Sequence, residues 1–203
     1  MLAAVAITAG SPADRTFAAV SGAVQSLMSI TVPLIGVLLV GDLRRAGRPG
    51  RLTPTLLAAV LVAAGIGAFG ALVCAVALRV APAGPVADPW DQIATIAVGS
   101  LLVQVMAQLV GTGLSLLIRP AVVAFLASIV LPLGLWAVLG SVDILSAAQV
   151  WLTPFANVQH LFAGQMRGLA WVQWFVVFLL WGAVLNAVGA WRLKKRRPAP
   201  VYP

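Results

Sequence analysis

TFAAVSGAVQSLMSITVPLIGVLLVG, residues 16–41, carries no charged side chain over 26 consecutive positions. A helix rising about 1.5 Å per residue over that length crosses the roughly 30 Å hydrocarbon core of a bilayer with some tilt. Directly after it, DLRRAGRPGRLT (42–53) crowds Arg44, Arg45, Arg48 and Arg51 among Gly and Pro, a connection that cannot lie in lipid. This alternation of a long apolar run with a short polar connection recurs along the chain and decides its class.

A second span is expected over residues 54–78. Arg79 and the stretch APAGPVADPWD (81–91), with Asp88 and Asp91, then form a proline-rich loop on the opposite side. Residues 92–118 make a third span. Arg119-Pro120 marks a tight turn, because proline lacks an N–H and disfavours helix in the residue before it. A fourth span covers 120–140, with Pro132 as its kink. Residues 141–168 are less apolar and hold Asp143, Thr153-Pro154, Asn157, His160 and Arg167, which reads as short re-entrant or interfacial helices. A fifth span covers 168–191, its Trp171, Trp174 and Trp191 placed near the ends as an interfacial belt requires.

The expected fold is therefore all-α, a single polytopic transmembrane helix bundle over 1–203 with about five full spans and a basic tail at 192–203. Residues 1–10 are apolar but too short to cross, and they lack the basic n-region of a signal peptide. Either they dip into the outer leaflet or they belong to a sixth span that is truncated. No internal repeat or low-complexity segment is evident.

Composition agrees with that pattern. The chain is 62% hydrophobic and 9% charged over 203 residues, with mean hydropathy +1.05; soluble domains carry charge on about a quarter of their residues. No soluble catalytic domain fits. Against 5 acidic residues stand 13 Lys and Arg, a net +8 that invites a nucleic-acid reading. Most of those cations lie in two short runs beside apolar segments, so they report topology, and no nucleic-acid partner is expected. The tail has instead an affinity for anionic lipid, about 1 kcal/mol per basic residue near the surface. Alternate crossing puts the cations of 42–53, Arg119 and the tail (Arg192, Lys194, Lys195, Arg196, Arg197) on one face, leaving Arg15, Arg79 and Arg167 on the other. Basic residues stay inside. The C-terminus is expected in the cytoplasm of a bacterial inner membrane.

Polar residues recur at helical spacing inside the spans, where each is costly unless it faces the bundle or water. Ser21, Gln25 and Ser29 share a face of the first; Ser100, Gln104, Gln108, Gly111 and Ser115 form a stripe on the third; Gln173 and Asn186 lie on the fifth. One reading makes them glue between helices, each hydrogen bond worth about 0.6 to 2 kcal/mol. The other makes Gln25, Ser29, Gln104 and Gln108 the lining of a path for an amphiphile, since no ionisable group lies mid-span to relay protons. The second span also carries Ala59, Ala63, Gly67, Ala71 and Ala75 at four-residue spacing, a ridge that admits close helix approach.

Other chemistry finds little support. Cys74 stands alone in an apolar run, as a small core residue does. His160 has no second His, Cys or carboxylate pair to share a metal. Phosphate-loop, nucleophile-elbow and zinc-protease motifs are missing, so the chain is not expected to be an enzyme, and any ATP-driven step needs another subunit.

Three stretches resemble the permease subunits of type-2 ATP-binding-cassette exporters of the actinobacterial kind: PADRTFAAV with the run to LIGVLLV, then VGTGLSLLIRPAVVAFLASIVLPL, then LTPFANVQHLF before the last span and basic tail. The resemblance implies six family spans, the first reduced here to residues 1–10, and an outer re-entrant gate at 141–168. It implies a permease dimer, homo- or heteromeric, and a separate cytoplasmic ATPase, with ATP bound by that partner and no cofactor on this chain. The family's docking loop corresponds to 42–53, which is shorter and more basic than usual and keeps Asp42 as its only acid. Asp42, Arg44, Arg45, Arg48, Arg51 and Arg119 become candidate docking residues. The alternative is a non-transporting membrane subunit, an anchor, assembly factor or regulator that packs on a larger complex through the second-span ridge.

Overall fold

A computed structural model describes residues 15–46, 52–82 and 88–195. The chain is an all-α polytopic transmembrane bundle, and no strand occurs among the described residues. Five helices are long and apolar enough to cross a membrane. They are α1 (Phe17–Arg45), α2 (Leu52–Val80), α3 (Ile93–Leu117), α4 (Ala121–Gly140) and a last span, Gly168–Lys195. Three short helices, α5 (Asp143–Ser146), α6 (Gln149–Leu152) and α7 (Pro154–Phe162), come before the last span, which is built from α8 (Gly168–Val177), a π-helical stretch (Phe178–Val184) and α9 (Leu185–Lys195). Residues 1–10, Arg48, Arg51 and the tail beyond Lys195 lie outside the described residues, so the expectations placed on them stay there.

Several boundaries differ from the expected ones for electrostatic reasons. α1 continues past Gly41 to Arg45 because its last turn holds Arg44 and Arg45, cations that suit the negative end of a helix dipole. α9 likewise runs through Arg192, Lys194 and Lys195, so the start of the basic tail is helix. The break at Arg119-Pro120 is where expected. Ile118 is extended and Pro120 precedes the first turn of α4, the place where a missing N–H costs nothing.

α3 is the central helix. Half of its most apolar window is buried, against 17% for α4 and for the last span, and every other span packs against it. Glycines allow that closeness: a Cβ on Gly111 would lie 2.5 Å from the Pro33 carbonyl oxygen of α1, and one on Gly67 of α2 would lie 2.7 Å from the Ser100 carbonyl oxygen. The α2 ridge is thus a packing surface directed inward. Ala59, Ala63 and Ala71 are buried, while Ala75 is half-buried.

The two ends of the bundle differ in character. At one end Val40, Leu52 and Leu116 form a cluster with Ala190 and Leu193, which joins the end of α1, the start of α2 and the ends of α3 and α9. At the other, Phe17 stacks on Trp90 and its N–H donates to the Pro89 carbonyl at 2.8 Å. Thr16 caps α1 by accepting from the Ala19 N–H, and Asp88 accepts from the Trp90 N–H across a turn. The Arg44 and Arg119 end and the start of the basic tail therefore share a face, opposite Arg15, Asp88 and Asp91, as alternate crossing demands.

Residues 141–168 enter the bundle as short helices at that second end. α7 begins with Pro154 at its first position and ends at Phe162, and the chain turns away just beyond it at Gly164, whose φ of +67° suits a residue without a Cβ. Its Leu161 is fully buried, and a Cβ on Gly99 of α3 would meet it at 3.2 Å. Trp181 of the last span donates to the Leu152 carbonyl at 2.8 Å and holds the α6–α7 break in place. Trp174 departs from the expected belt: it is 4% exposed and packs with Met106 and Leu161, whereas Trp171 and Trp191 face outward. The reason is α7, which covers that side of the last span.

Candidate functional site

The polar stripes meet each other. Gln25, Gln104 and Gln108 are at most 1% exposed. Gln25 donates through Nε2 to the Gly67 carbonyl of α2 at 3.0 Å, and Gln104 donates to the Gln25 carbonyl at 3.0 Å and to its Oε1 at 2.7 Å. Three helices are joined by two amides. Gln108, with its amide oriented to satisfy both neighbours, donates to the Val32 carbonyl at 2.7 Å and accepts from the Gly36 N–H at 3.1 Å. It thereby supports α1 next to Pro33, where one rung of the helical ladder is missing. Ser21 and Ser100 pair at 3.3 Å, and Ser115 donates to the Val37 carbonyl at 3.4 Å.

Between α3 and the last span, Asn186 plays the same part. Its Nδ2 donates to the Leu109 carbonyl at 2.8 Å and to the Gly182 carbonyl at 2.7 Å, inside the π-helical stretch, where helical hydrogen bonding is irregular. Its Oδ1 receives the Thr112 hydroxyl at 2.9 Å. Thr112 was not among the expected residues, although it stands four positions after Gln108 on the same stripe. Gly111 gives way to Pro33 and so turns Thr112 toward the last span.

A different feature is open to occupants. A groove of about 230 Å³ runs between α1 and α4, floored by α3 at Met106 and Val110 and bounded at one end by Phe155 of α7. Of the four residues expected to line a path, only Ser29 is in its wall; Gln25, Gln104 and Gln108 are not. Their amide N–H groups are spent in holding helices together, since an unpaired donor in lipid is too costly to leave facing an apolar space, while the Gln104 Oε1 is buried without a hydrogen-bond partner. Opposite Ser29 stands Ser128 of α4, with Pro33 and Pro132 in the two walls. Sequence reasoning missed Ser128, Pro33 and Ser26. The signal was available as a likeness of six residues, SITVPL (29–34) and SIVLPL (128–133), too short to read as a repeat.

At the arginine-bearing end the candidate docking residues divide. Arg44 is half-buried, and its guanidinium donates to the Leu116 carbonyl at 2.7 Å and the Ile118 carbonyl at 3.3 Å, capping α3. Arg45 and Asp42 form an exposed pair at 2.8 Å. Arg119, in the α3–α4 turn beside the residues Arg44 holds, is exposed. Asp42, Arg45 and Arg119 thus present charge on one surface, with Arg44 serving as the bracket between their two turns. Elsewhere His160 is half-buried on α7, and no group of three metal-ligating side chains exists among the described residues.

The chain matches no protein-family model, no curated protein and no solved structure.

Proposed function

We propose that this chain is the membrane permease subunit of an ATP-binding-cassette exporter, working with a separate cytoplasmic ATPase and a second permease copy or homologue. In this reading it lies in a bacterial cytoplasmic membrane with its C-terminus inside, and it moves a hydrophobic or amphiphilic compound. It is a transport subunit and not an enzyme. The observation that carries the reading is the groove between α1 and α4: apolar, without an ionisable wall residue, floored by the central helix and bounded by a re-entrant helix. Such a space suits an uncharged or weakly polar cargo and gives a proton-coupled mechanism nothing to titrate. The likeness of three stretches to type-2 exporter permeases adds the ATPase and the dimer.

The exposed surface of Asp42, Arg45 and Arg119 is the contact offered to the ATPase. Charged rim residues of this kind govern encounter and orientation more than intrinsic stability. The alternative of a non-transporting subunit loses its intended surface, because the α2 ridge packs against α1 and α3 within the chain.

The test is affinity purification of the full chain from its native membrane. A co-purifying protein with a phosphate-loop motif is expected, with ATP hydrolysis faster in the pair than in that protein alone and slowed by Arg45→Ala with Arg119→Ala. A chain that is stable and active with no such partner would falsify the proposal.

A further inference from the structure

The end of the last span carries charge and apolar surface on one line. Val184, Val188, Trp191 and Lys195 follow one another at helical spacing and share a face of the helix. That face points away from the bundle. Asn186 and Gly189 are buried on the opposite side, and Leu193 packs with Val40, Leu52 and Leu116, while Val184, Val188, Trp191 and Lys195 are exposed. The Lys195 ammonium lies over the Trp191 ring, 4.0 Å from its centroid, a cation–π contact that holds the charge beside the indole. Arg192 and Lys194 are exposed to either side of that pair. The one salt bridge among the described residues joins Arg45 and Asp42, so these three cations have no acidic partner there.

The stripe has the length of one leaflet. Between Val184 and Lys195 the helix rises about 16 Å, and half of a roughly 30 Å hydrocarbon core is about 15 Å. A phosphate at the level of Lys195 would leave its acyl chain to run along Val188 and Val184, with Trp191 at the depth where indole rings settle. Other occupants match only part of this surface. A soluble anion or an acidic protein would meet the cations and leave the valines uncovered. A second copy meeting this face about a two-fold axis along the membrane normal would set like charges against like at one depth, which costs several kcal/mol in an interface.

We propose that the outward face of α9 is a binding site for a phospholipid with an anionic headgroup, its phosphate held by Arg192, Lys194 and Lys195 and its acyl chain laid along Trp191, Val188 and Val184. A basic tail by itself attracts anionic lipid diffusely and asks only for charge. This site belongs to one helix face and uses apolar contact as well. It needs neither an ATPase nor a cargo, so it stands or falls apart from the transport reading.

The experiment is native mass spectrometry of the full chain in detergent, titrated with phosphatidylglycerol or with phosphatidylethanolamine bearing the same acyl chains. The first phosphatidylglycerol is expected to bind roughly tenfold or more tighter than the first phosphatidylethanolamine, since each basic residue near the headgroup adds to the attraction. Lys195→Gln should cut that preference roughly threefold or more. Arg119→Gln removes one cation from the same side of the bundle and should leave the preference unchanged. Both positions are exposed, so neither substitution opens the core. Trp191→Ala should weaken phosphatidylglycerol binding with every cation still present. Glycerophosphoglycerol, the same headgroup without acyl chains, should not displace the lipid even in large excess. Equal affinity for the two lipids overturns the proposal. So do equal effects of Lys195→Gln and Arg119→Gln, the mark of attraction without a site, and displacement by the soluble headgroup, the mark of a site for a soluble anion.

Discussion

Gly111 and Gly65 show how differently one residue type is used along these spans. A Cβ on Gly111 would lie 2.5 Å from the Pro33 carbonyl oxygen and 2.7 Å from its Cα, backbone atoms that cannot turn aside, whereas a Cβ on Gly65 meets nothing within 4 Å. Gly111→Ala is therefore expected to lower stability by about 1 to 3 kcal/mol through forced separation of α1 and α3. Gly65→Ala should be neutral or stabilising by up to about 1 kcal/mol, since alanine is the better helix former. Thermal unfolding of both variants in the same detergent checks this, and equal losses would contradict it. At this scale the glutamines were legible as costly intramembrane groups, because their spacing along one stripe is visible in the sequence. Whether they faced a path or each other depended on where Gly67 and Val32 came to lie, which no local pattern states.

Among the elements, α3 and its C-terminal bracket repay a comparison of two neighbouring arginines. Arg44 donates to two carbonyls at the end of α3, while Arg45 holds only Asp42 on the exposed surface. Hydrogen bonds from a charged donor contribute about 1.5 to 3 kcal/mol, and exposed ion pairs about 0 to 1 kcal/mol. Arg44→Met should thus lower the unfolding temperature and hasten amide exchange in the last turn of α3, and Arg45→Ala should leave both nearly unchanged. If the two variants behave alike, Arg44 is not the bracket described. In the proposed docking, the contact to the ATPase falls to the more exposed residue for the same reason. Sequence analysis placed both arginines in one polar loop, because the continuation of α1 to Arg45 depends on its carbonyls meeting a cationic last turn. The π-helical stretch of the last span was not anticipated either; it is compensated by Asn186, whose amide reaches Gly182 within its own helix and Leu109 across the interface.

For the whole molecule, the alternating crossings predict which loops share a compartment. With Cys74 replaced by Ala, single cysteines at Asp88→Cys and Arg119→Cys should react with a membrane-impermeant thiol reagent from opposite sides of sealed vesicles. A cysteine at Lys195→Cys should behave like the one at Arg119. Finding Lys195→Cys with Asp88→Cys would break the five-span topology. Positive charge sets the direction, so the Arg119 side should be the cytoplasmic one. The helix count, order and approximate ends were legible because lipid demands about 20 apolar residues per crossing and polar residues between them.

Lipid solvation acts on each residue by itself, so sequence alone determined that this protein is a bundle of membrane-spanning helices, where the chain leaves the bilayer, and that its polar stripes needed partners. Only tertiary structure decided which partners those were. Packing against α3 turned the α2 ridge inward, closed Gln25, Gln104 and Gln108 into a seam, covered Trp174 with α7, and brought the matched turns at Ser29–Pro33 and Ser128–Pro132 across one groove. Such contacts join residues far apart in the chain, and their geometry depends on the shape of every helix between them.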